Sequence, residues 1–460
     1  MKRFALMLLV VSMGAAVVCG ADMSKMMADV AQRNANGLAM IKYVVTDEVG
    51  GSQTLGGTGI CIDASGILMT TAIDARLKPE MLKDFQVIIP GPEGKTLKAQ
   101  LQGIDPETNL SFVRALDPYA WTPIQFAARA DLAIGQPVVS MGLLQEDMNY
   151  APYYGTGFVS SKLRVPGFLA YVTGGRLTNA GSPVFAEDGR AIGIVGTQLF
   201  LQYQMTTGRG AMSVGLKGQQ ESMFFTPSEE FAHVIANIPT PGQPRRLPWI
   251  GVISFIAISK DTADTLNVKT PAVQIDNVVD NSPASKAGLQ NNDLIVELNG
   301  QPLERFGTPE LVSQNLQRQL SRIAIGQKVT LGILRNNKPS SVTVTTEPMP
   351  TRPDEAPRYI SQAMGFAARE KIMLDRYLDK SSTGKVDGLI VLAVGQGSPA
   401  EGGGLKEADL ITTANDQPIK TVAALKQILE SAAPGKAINL TVRRGDQSQA
   451  VSIMPPAVKK

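Results

Sequence analysis

An internal repeat in the second half of the chain limits most strongly what the chain can fold into. Ser282–Leu303 and Ser398–Ile419 align at a constant offset of 116 positions with 11 identities in 22, among them S-P-A, G-L, D-L-I and N-x-Q-P. Each copy reads as an apolar strand, the shared segment, a helix and a final hairpin that starts at Gly326 or Gly435. Duplicated domains are the simplest explanation of such a repeat. The chain is therefore predicted to end in two domains of the same mixed α and β type.

The first half of the chain has a period of two rather than a helical period. Short apolar runs separated by Gly, Pro and Asp predict an all-β barrel or double barrel. Helices are predicted at Met23–Asn34 and at Thr226–Asn237, where Thr226 and Glu229 fit a capping box and Pro227 takes the first helical position. The predicted strands are Gly37–Val49, Gln53–Asp63, Gly66–Thr71, Phe85–Ile89, Thr96–Ile104, Asn109–Arg114, Pro137–Leu143, Tyr154–Leu163, Leu169–Thr173 and Ala191–Phe200.

Two proline-rich segments separate the predicted domains. Pro239–Pro248 and Pro348–Pro357 are expected to be semi-rigid spacers that form neither helix nor sheet ladder. A length of 460 residues agrees with about three domains. The predicted division is residues 1–21 as a leader, 22–238 as the β unit, 239–248 as a linker, 249–347 as the first repeat unit, 348–358 as a linker and 359–456 as the second repeat unit.

The first 21 residues read as a secretory signal. Lys2 and Arg3 precede an apolar run from Phe4 to Val18, which is shorter than the roughly 20 residues of a spanning helix. The mature protein is therefore expected to be exported and to be soluble outside the cytoplasm after cleavage. A lipid anchor at Cys19 is disfavoured because Val18 is bulkier than the small residue that such processing prefers.

Composition excludes several classes of function. The net charge is +3 and no run of Lys or Arg exceeds two residues, which argues against a nucleic-acid partner. Cys61 is the only cysteine after the leader, so a disulfide within the mature chain is not expected, and a buried apolar role is. With one histidine and that one cysteine, no metal-ligand spacing is found, and no cofactor is expected.

The loop at Leu177–Ile194 carries a resemblance to an enzyme family. Its pattern N-x-G-S-P-V-F, followed by a D-G turn and an apolar strand, resembles the nucleophile loop of trypsin-like serine proteases. The attacking serine of that pattern is replaced by Ala180, which has no proton to lose and no lone pair for attack. Thr178 stands where the family has a glycine whose backbone N–H helps to bind the oxyanion.

The two repeat units resemble bacterial PDZ domains. In such domains a φ-G-φ loop presents backbone N–H groups to the terminal carboxylate of a peptide, and the strand that follows pairs with the peptide by β-augmentation. Arg246 and Arg358 precede the two loops, where each is a candidate contact for that carboxylate or a solvated linker charge. The predicted peptide-binding residues are Ile250, Gly251, Val252 and Ile253 in the first copy, and Met364, Gly365, Phe366 and Ala367 in the second.

A signal, a trypsin-like barrel pair and two PDZ domains form the layout of the HtrA family of periplasmic proteases and chaperones. The resemblance to the family motifs T-N-x-H-V, D-x-x-T-D-L-A and G-N-S-G-S-P places Ile73 at the catalytic base, Asn109 at the orienting acid and Ala180 at the nucleophile. Ile73 cannot accept a proton, and Asn109 cannot stabilise an imidazolium by charge. The resemblance therefore predicts a degenerate member of the family, a pseudoprotease.

Three functional hypotheses follow. The first is a secreted pseudoprotease that binds protein C-termini or unfolded segments through its PDZ domains, with or without chaperone-like action. The second is an active serine endopeptidase of protein quality control. Since His233 is the only histidine and is expected to be a solvated helix residue, such an enzyme would need a Ser-Lys dyad with Ser182 as nucleophile. The third is a regulatory partner that assembles with an active homologue. Family resemblance also implies a periplasmic location and a homotrimer.

Overall fold

The computed structural model of the protein describes residues 18–46, 51–74, 77, 79–196, 202–207, 210–215, 223–241, 245–266, 268, 271–353, 355–378, 386–431 and 435–455. Of these, 18–22, 202–207 and 210–215 are described by their backbone alone. Positions 1–17 of the predicted leader lie outside the described residues. Helix α1 (Val18–Arg33) begins five residues before the predicted start at Met23.

Two closed, six-stranded antiparallel barrels make up the first half of the chain, which confirms the all-β prediction. The first contains β1 Leu38–Thr46, β2 Ser52–Asp63, β3 Ile67–Thr70, β4 Leu82–Ile88, β5 Thr96–Asp105 and β6 Leu110–Ala115, in the order β1-β2-β3-β6-β5-β4. The second contains β7 Pro137–Leu143, β8 Pro152–Val165, β9 Gly167–Arg176, β10 Pro183–Phe185, β11 Ala191–Val195 and β14 Phe224–Pro227, in the order β10-β11-β14-β9-β8-β7. A separate hairpin pairs β12 Gln202–Thr207 with β13 Gly210–Gly215.

An apolar core joins the two barrels. Met26 and Val30 of α1 are buried together with Phe112 of the first barrel and Phe185 of the second. Burying each such side chain stabilises the fold by roughly 1.5–3 kcal/mol. The shared core holds the barrels side by side, so that loops from both meet between them.

The segment after β14 differs from its prediction. A single 3₁₀ turn, Ser228–Glu230, and one helical turn, α2 Ala232–Ile235, replace the predicted helix. The capping box is wrong because Thr226 belongs to β14. The carboxylate of Glu229 instead accepts a hydrogen bond from the backbone N–H of Ala130 at 2.9 Å, a long-range contact that outcompetes the local cap.

Each repeat unit is an antiparallel sheet with short helices and one longer helix. In the first, the sheet order is β16 Val252–Ala257, β17 Val273–Val278, β18 Leu294–Leu298, β20 Lys328–Arg335 and β21 Lys338–Thr345, with β19 Gln301–Pro302 beside β18. Its helices are α3 Lys260–Thr265, α4 Pro283–Lys286 and α5 Pro309–Ser321.

The second unit repeats this plan with one strand more. Its sheet order is β23 Arg358–Ser361, β24 Phe366–Glu370, β25 Leu389–Val394, β26 Leu410–Ala414, β28 Ile438–Arg444 and β29 Gln447–Ile453, with β27 Gln417–Pro418 beside β26. Its helices are α6 Asp375–Leu378, α7 Pro399–Gly402 and α8 Val422–Ser431.

The identities within the repeat have local structural reasons. Ser282 caps α4, where its Oγ accepts from the N–H of Ser285 at 3.2 Å, and Ser398 caps α7 in the same way. The shared aspartate is buried in both copies and forms an ion pair at 2.7 Å, Asp293 with Arg335 and Asp409 with Arg444. Replacing Arg335 or Arg444 would leave a buried carboxylate without its partner.

The proline-rich segments are more ordered than expected. Their ends form a two-residue antiparallel ladder, β15 (Pro248–Trp249) with β22 (Glu347–Pro348). The expectation that these segments form no ladder is therefore wrong at this point. The pairing places the start and the end of the first repeat unit side by side.

Candidate functional site

A cavity of about 380 Å³ lies where the loops of the two barrels meet, and we call it the barrel cleft. Thr71 follows β3, Asn109 precedes β6 and Ala180 lies between β9 and β10, and all three line the cleft. The loop after β3 and the loop before β10 are in contact, because a Cβ on Gly181 would lie 2.7 Å from Oγ1 of Thr71. Gly181 also has a φ of +82°, which favours glycine. The structure thus brings Asn109 and Ala180 to one cavity.

Ile73 lies elsewhere. Its side chain is 0% exposed and packs in the core of the first barrel with Ile41, Tyr43 and Leu68. It is absent from the lining of the barrel cleft. The position predicted for the base is therefore part of the apolar interior.

Asn109 ends a tight turn that Asp105 organises. Oδ2 of Asp105 accepts from the N–H of Thr108 at 2.9 Å and from its hydroxyl at 2.7 Å, while Oδ1 accepts from Nη1 of Arg245 at 2.6 Å. Asn109 then adopts a left-handed φ of 58°, which asparagine tolerates. The left-handed backbone at position 109 is therefore enough to account for an asparagine there.

The loop before Ala180 has its backbone N–H groups engaged inside the protein. The N–H of Thr178 donates to Oγ of Ser140 at 2.8 Å, and the N–H of Asn179 donates to the hydroxyl of Tyr153 at 2.9 Å. Thr178 itself is buried, and its Oγ1 has no hydrogen-bond partner within the described part of the chain. An oxyanion requires donors that point at the reacting atom. The N–H of Thr178 does not meet that requirement in this conformation.

Ser182 is held in the turn rather than presented for reaction. Its side chain is 0% exposed, and its Oγ donates to Oδ1 of Asn179 at 2.9 Å. The amide of Asn179 in turn donates from Nδ2 to Oγ1 of Thr58 at 3.1 Å. An amide oxygen, unlike a neutral lysine, is no base that could take the hydroxyl proton.

Helix α5 of the first repeat unit closes one side of the barrel cleft through ion pairs. The residues are Arg318 and Arg322 at the end of α5 and Glu107 and Glu230 of the barrel half, and we call these four residues the α5 clamp. Nε of Arg322 lies 2.9 Å from Oε1 of Glu107, and its Nη2 lies 3.1 Å from Oε2 of Glu230. Arg318, one turn earlier, is also paired with Glu230. Both carboxylates are nearly buried. The clamp fastens the first repeat unit to the barrels.

Two further residues join the α5 clamp. Nε2 of His233 lies 3.2 Å from Oε2 of Glu107, and Nη2 of Arg245 lies at the same distance from that oxygen. His233 is therefore not the solvated helix residue expected from its spacing to Phe231. The helix on which that expectation rested is a single turn, and its end packs against the loop that carries Glu107.

The clamp lowers the pKa of both of its carboxyl groups. Burial alone would raise the pKa of Glu107, but hydrogen bonds and charges from His233 and Arg322 outweigh burial and hold it below its ordinary value near 4.5. Burial likewise opposes the shift at Glu230, where the backbone N–H of Phe168 and the guanidinium of Arg318 lower the pKa. Both groups therefore favour the folded state most when they are ionised.

We expect the clamp to weaken in acid. A carboxyl group whose pKa is lower in the folded state contributes all of its stabilisation above the unfolded pKa and loses it as the pH falls through the folded pKa. Urea unfolding measured at steps from about pH 6 to about pH 3 should therefore show a decline, and Glu230→Gln should reduce its slope. Equal slopes in the two proteins would contradict the assignment.

Both φ-G-φ loops place their glycine in the left-handed region of the backbone. Gly251 has a φ of +99° and Gly365 a φ of +71°. A Cβ would lie 2.2 Å from Oγ of Ser282 in the first copy and 2.3 Å from Cβ of Ser398 in the second. Glycine is thus required by contacts within each unit. A bulky residue there would disturb the unit itself as well as any ligand.

The predicted peptide-binding residues are placed differently in the two units. Ile250, Val252 and Ile253 line a cavity of about 460 Å³ between β16 and α5, whose far wall includes Glu107 of the α5 clamp. Met364, Phe366 and Ala367 of the second unit are buried, as are Ile250 and Val252 of the first, so the difference lies in the cavity beside the first loop and not in burial. The first unit therefore offers an accessible pocket beside its loop.

The two candidate arginines also have different surroundings. Nη1 of Arg246 donates to the carbonyl oxygen of Met349 at 3.2 Å, which ties the two linkers together. Burial and then the charge of Arg369 lower the pKa of Arg358, which lies within β23.

Several residues that form the site could not be identified from the sequence. Ser140 and Tyr153, which hold the loop before Ala180, lie on β7 and β8, and nothing in their sequence context marks them. Arg318 and Arg322 carry a weak signal, because a spacing of four places them on one face of a helix. Their partners are more than 80 residues away in the chain.

Comparisons with known proteins agree on the type of each unit. The family Trypsin-like peptidase domain matches residues 57–194, and the family PDZ domain matches residues 253–346 and 365–454. Periplasmic serine endoprotease DegP of Salmonella typhimurium is 25% identical over 397 residues, 85% of this chain and 75% of that protein. A probable periplasmic serine endoprotease DegP-like of Brucella suis is 27% identical over 374 residues, 78% of this chain and 67% of that protein.

Solved structures extend the likeness of the fold. The HtrA-type protease AlgW with decapeptide has a TM-score of 0.50 and 19% identity, and the match covers 71% of this chain and 99% of that one.

Within the described part of the chain, no helix combines the length and the apolar character needed to cross a membrane.

Proposed function

Because the chain belongs to the HtrA/DegP family, with a trypsin-like protease domain followed by two PDZ domains, we propose that it is a member without protease activity. It acts as a binding scaffold for polypeptides, and its proposed location is the periplasm, which the names of its relatives give for those proteins. Its ligands are protein C-termini or unfolded segments, held by β-augmentation in a PDZ groove. It assembles through its barrels, either with itself or with an active homologue.

The observation that carries this proposal is the state of the barrel cleft. Ala180 supplies no nucleophile, Asn109 supplies no charge, and Ile73 is buried away from the cleft. The N–H of Thr178 is already bonded to Ser140. In a measured serine protease, loss of the triad alone lowers kcat by about 10⁶, and what remains depends on an intact oxyanion hole. We infer that neither part supports catalysis here, since the triad positions hold other residues and one expected donor of the oxyanion hole is already engaged.

An active serine endopeptidase is the second candidate, because the relatives are named as endoproteases. It requires Ser182 as the nucleophile. The burial of Ser182 and its hydrogen bond to Asn179 oppose that role, since the hydroxyl neither reaches solvent nor contacts a base.

We expect no turnover by the purified protein. Incubation with unfolded casein should yield no fragments, and a fluorophosphonate probe should leave no adduct in intact-mass spectrometry, because residue 180 has only a methyl group. Ala180→Ser alone should change neither result, since it has no base beside it. An adduct mapped to Ser182 and lost in Ser182→Ala would overturn the proposal in favour of a dyad enzyme.

A further inference from the structure

The two PDZ domains differ in what borders their peptide-accepting strand. In the first domain β16 is the outermost strand of the sheet and pairs only with β17 among the described strands. In the second domain the equivalent strand, β24, pairs with β25 on one side and with β23 on the other. A peptide joins a sheet at a free edge. The second domain therefore holds a piece of its own chain where a peptide would bind.

The pairing of β23 covers the whole of β24. Arg358 to Ser361 run antiparallel to Arg369 to Phe366 in continuous register. The ladder extends one residue further, because the N–H of Glu370 donates to the carbonyl oxygen of Pro357 at 2.8 Å. Antiparallel hydrogen bonding alternates, so the N–H groups of Ala368 and Phe366 also face β23. No length of this edge is left for a peptide.

The side chains of β23 behave as those of a bound peptide. Tyr359 packs against the core of the second domain, and Ser361 is buried. Helix α8, which forms the opposite wall of the groove, contacts both β23 and β24. Oε1 of Glu370 accepts from the N–H of Val422 at 3.1 Å and so ties the end of β24 to the start of α8. The groove is closed from end to end.

Among the described residues of the first domain, no strand lies at this place. Its residues before the loop, β15, pair with β22 instead. The backbone of β16 accepts side-chain hydrogen bonds: the indole N–H of Trp249 donates to the carbonyl oxygen of Val252 at 2.9 Å, and Oγ of Ser313 donates to that of Phe255 at 3.2 Å. A hydrogen bond of this kind contributes about 1 kcal/mol, so a peptide that offers its own N–H groups can replace them.

We propose that β23 is an internal ligand of the second PDZ domain, and that the first PDZ domain is the receptor for free peptides with an apolar C-terminal residue. The proposal rests on the proposed function, since it identifies which domain performs the binding. The α5 clamp is consistent with this assignment, because Arg318 and Glu107 line the pocket of the first domain as well as the barrel cleft.

The test is the number of peptides bound by the full chain. A fluorescein-labelled decapeptide that ends in Leu-Val with a free carboxylate should bind in calorimetry with one site per chain and a Kd that is roughly micromolar. The same peptide with an amidated end should bind at least about tenfold more weakly. Tyr359→Gly with Ile360→Gly should weaken β23 and raise the number of sites to two. Ser340→Gly with Ser341→Gly, on the exposed strand β21, is the matched control and should leave one site.

A disulfide between β23 and β24 provides a second test that does not depend on whether the double-glycine variant folds. Ile360 and Ala367 face each other in β23 and β24 at a non-hydrogen-bonded position, the closer of the two pair types. Ile360→Cys with Ala367→Cys should therefore oxidise readily and retain one site. The single variant Ile360→Cys controls for the loss of isoleucine. Two sites in the oxidised, locked protein would overturn the proposal.

Hydrogen exchange separates this proposal from the proposed function. The N–H groups of Ala368 and Glu370 should exchange slowly in the wild type and at least about tenfold faster in the double-glycine variant. Fast exchange of both groups in the wild type, or two binding sites there, would show that β23 does not close the groove. Slow exchange together with no peptide binding by any variant would retain the internal ligand and refute the proposed peptide receptor.

Discussion

Ile73→His should lower the free energy of unfolding by about 3 kcal/mol, because it places an imidazole without a hydrogen-bond partner in an apolar core. Ile73 is 0% exposed and is surrounded by the side chains of the first barrel. Urea unfolding followed by tryptophan fluorescence, to which Trp121 at the same core contributes, measures the change. Restoring a catalytic histidine therefore begins with a loss of stability.

Ile73→Val is the control and should cost only about 1 kcal/mol, since it removes one methylene group and adds no polar atom. The combination Ile73→His, Asn109→Asp and Ala180→Ser should still leave casein intact, because the N–H of Thr178 stays bonded to Ser140. Wild-type stability in Ile73→His would contradict this account, since the imidazole would then have to reach the barrel cleft.

Arg369→Leu should lower the free energy of unfolding by about 3–5 kcal/mol, because it leaves the carboxylate of Asp375 buried without its counter-charge. The two side chains are 9% and 7% exposed and form two hydrogen bonds of 2.7 and 2.8 Å. The carboxylate keeps one donor, the N–H of Ile372 at 2.8 Å. Chemical denaturation of the full chain should show this loss in the transition of the second PDZ domain.

A double-mutant cycle isolates the pair. Arg369→Leu with Asp375→Leu should be less destabilising than Arg369→Leu alone, because the double variant buries no charge. The exposed pair of Arg376 and Asp387, at 3.2 Å, is the matched control, and Arg376→Ala should change stability by less than about 1 kcal/mol. If Arg369→Leu proves equally mild, water must reach Asp375 and the pair is not buried.

Features that depend on near neighbours in the chain could be predicted from the sequence. Alternation of apolar and polar residues located most strands of both barrels, because each strand buries one face. The repeat located both PDZ domains, since the same serine cap and the same buried aspartate recur at Ser282 and Ser398 and at Asp293 and Asp409. In each case the reason for the residue lies in the element that contains it or in the next one.

Features that depend on distant residues could not be predicted. Glu229 looks like part of a helix cap, yet its carboxylate bonds to Ala130, 99 positions away. The orientation of Ile73 depends on the packing of the first barrel and not on the motif around it. The pairing of β23 with β24 was also hidden, because Arg358 precedes the loop in the same manner as Arg246 does in the first domain. Only the fold distinguishes the two positions.

The internal strand also governs how far apart the two PDZ domains can move. Arg358–Ser361 directly follows the proline-rich linker and is fixed to the second domain by its ladder. If an invading polypeptide expelled this strand, its four residues would join the tether between the domains and lengthen it by roughly 13 Å. The distance between two polypeptides bound to one chain would then depend on whether β23 or an external polypeptide pairs with β24.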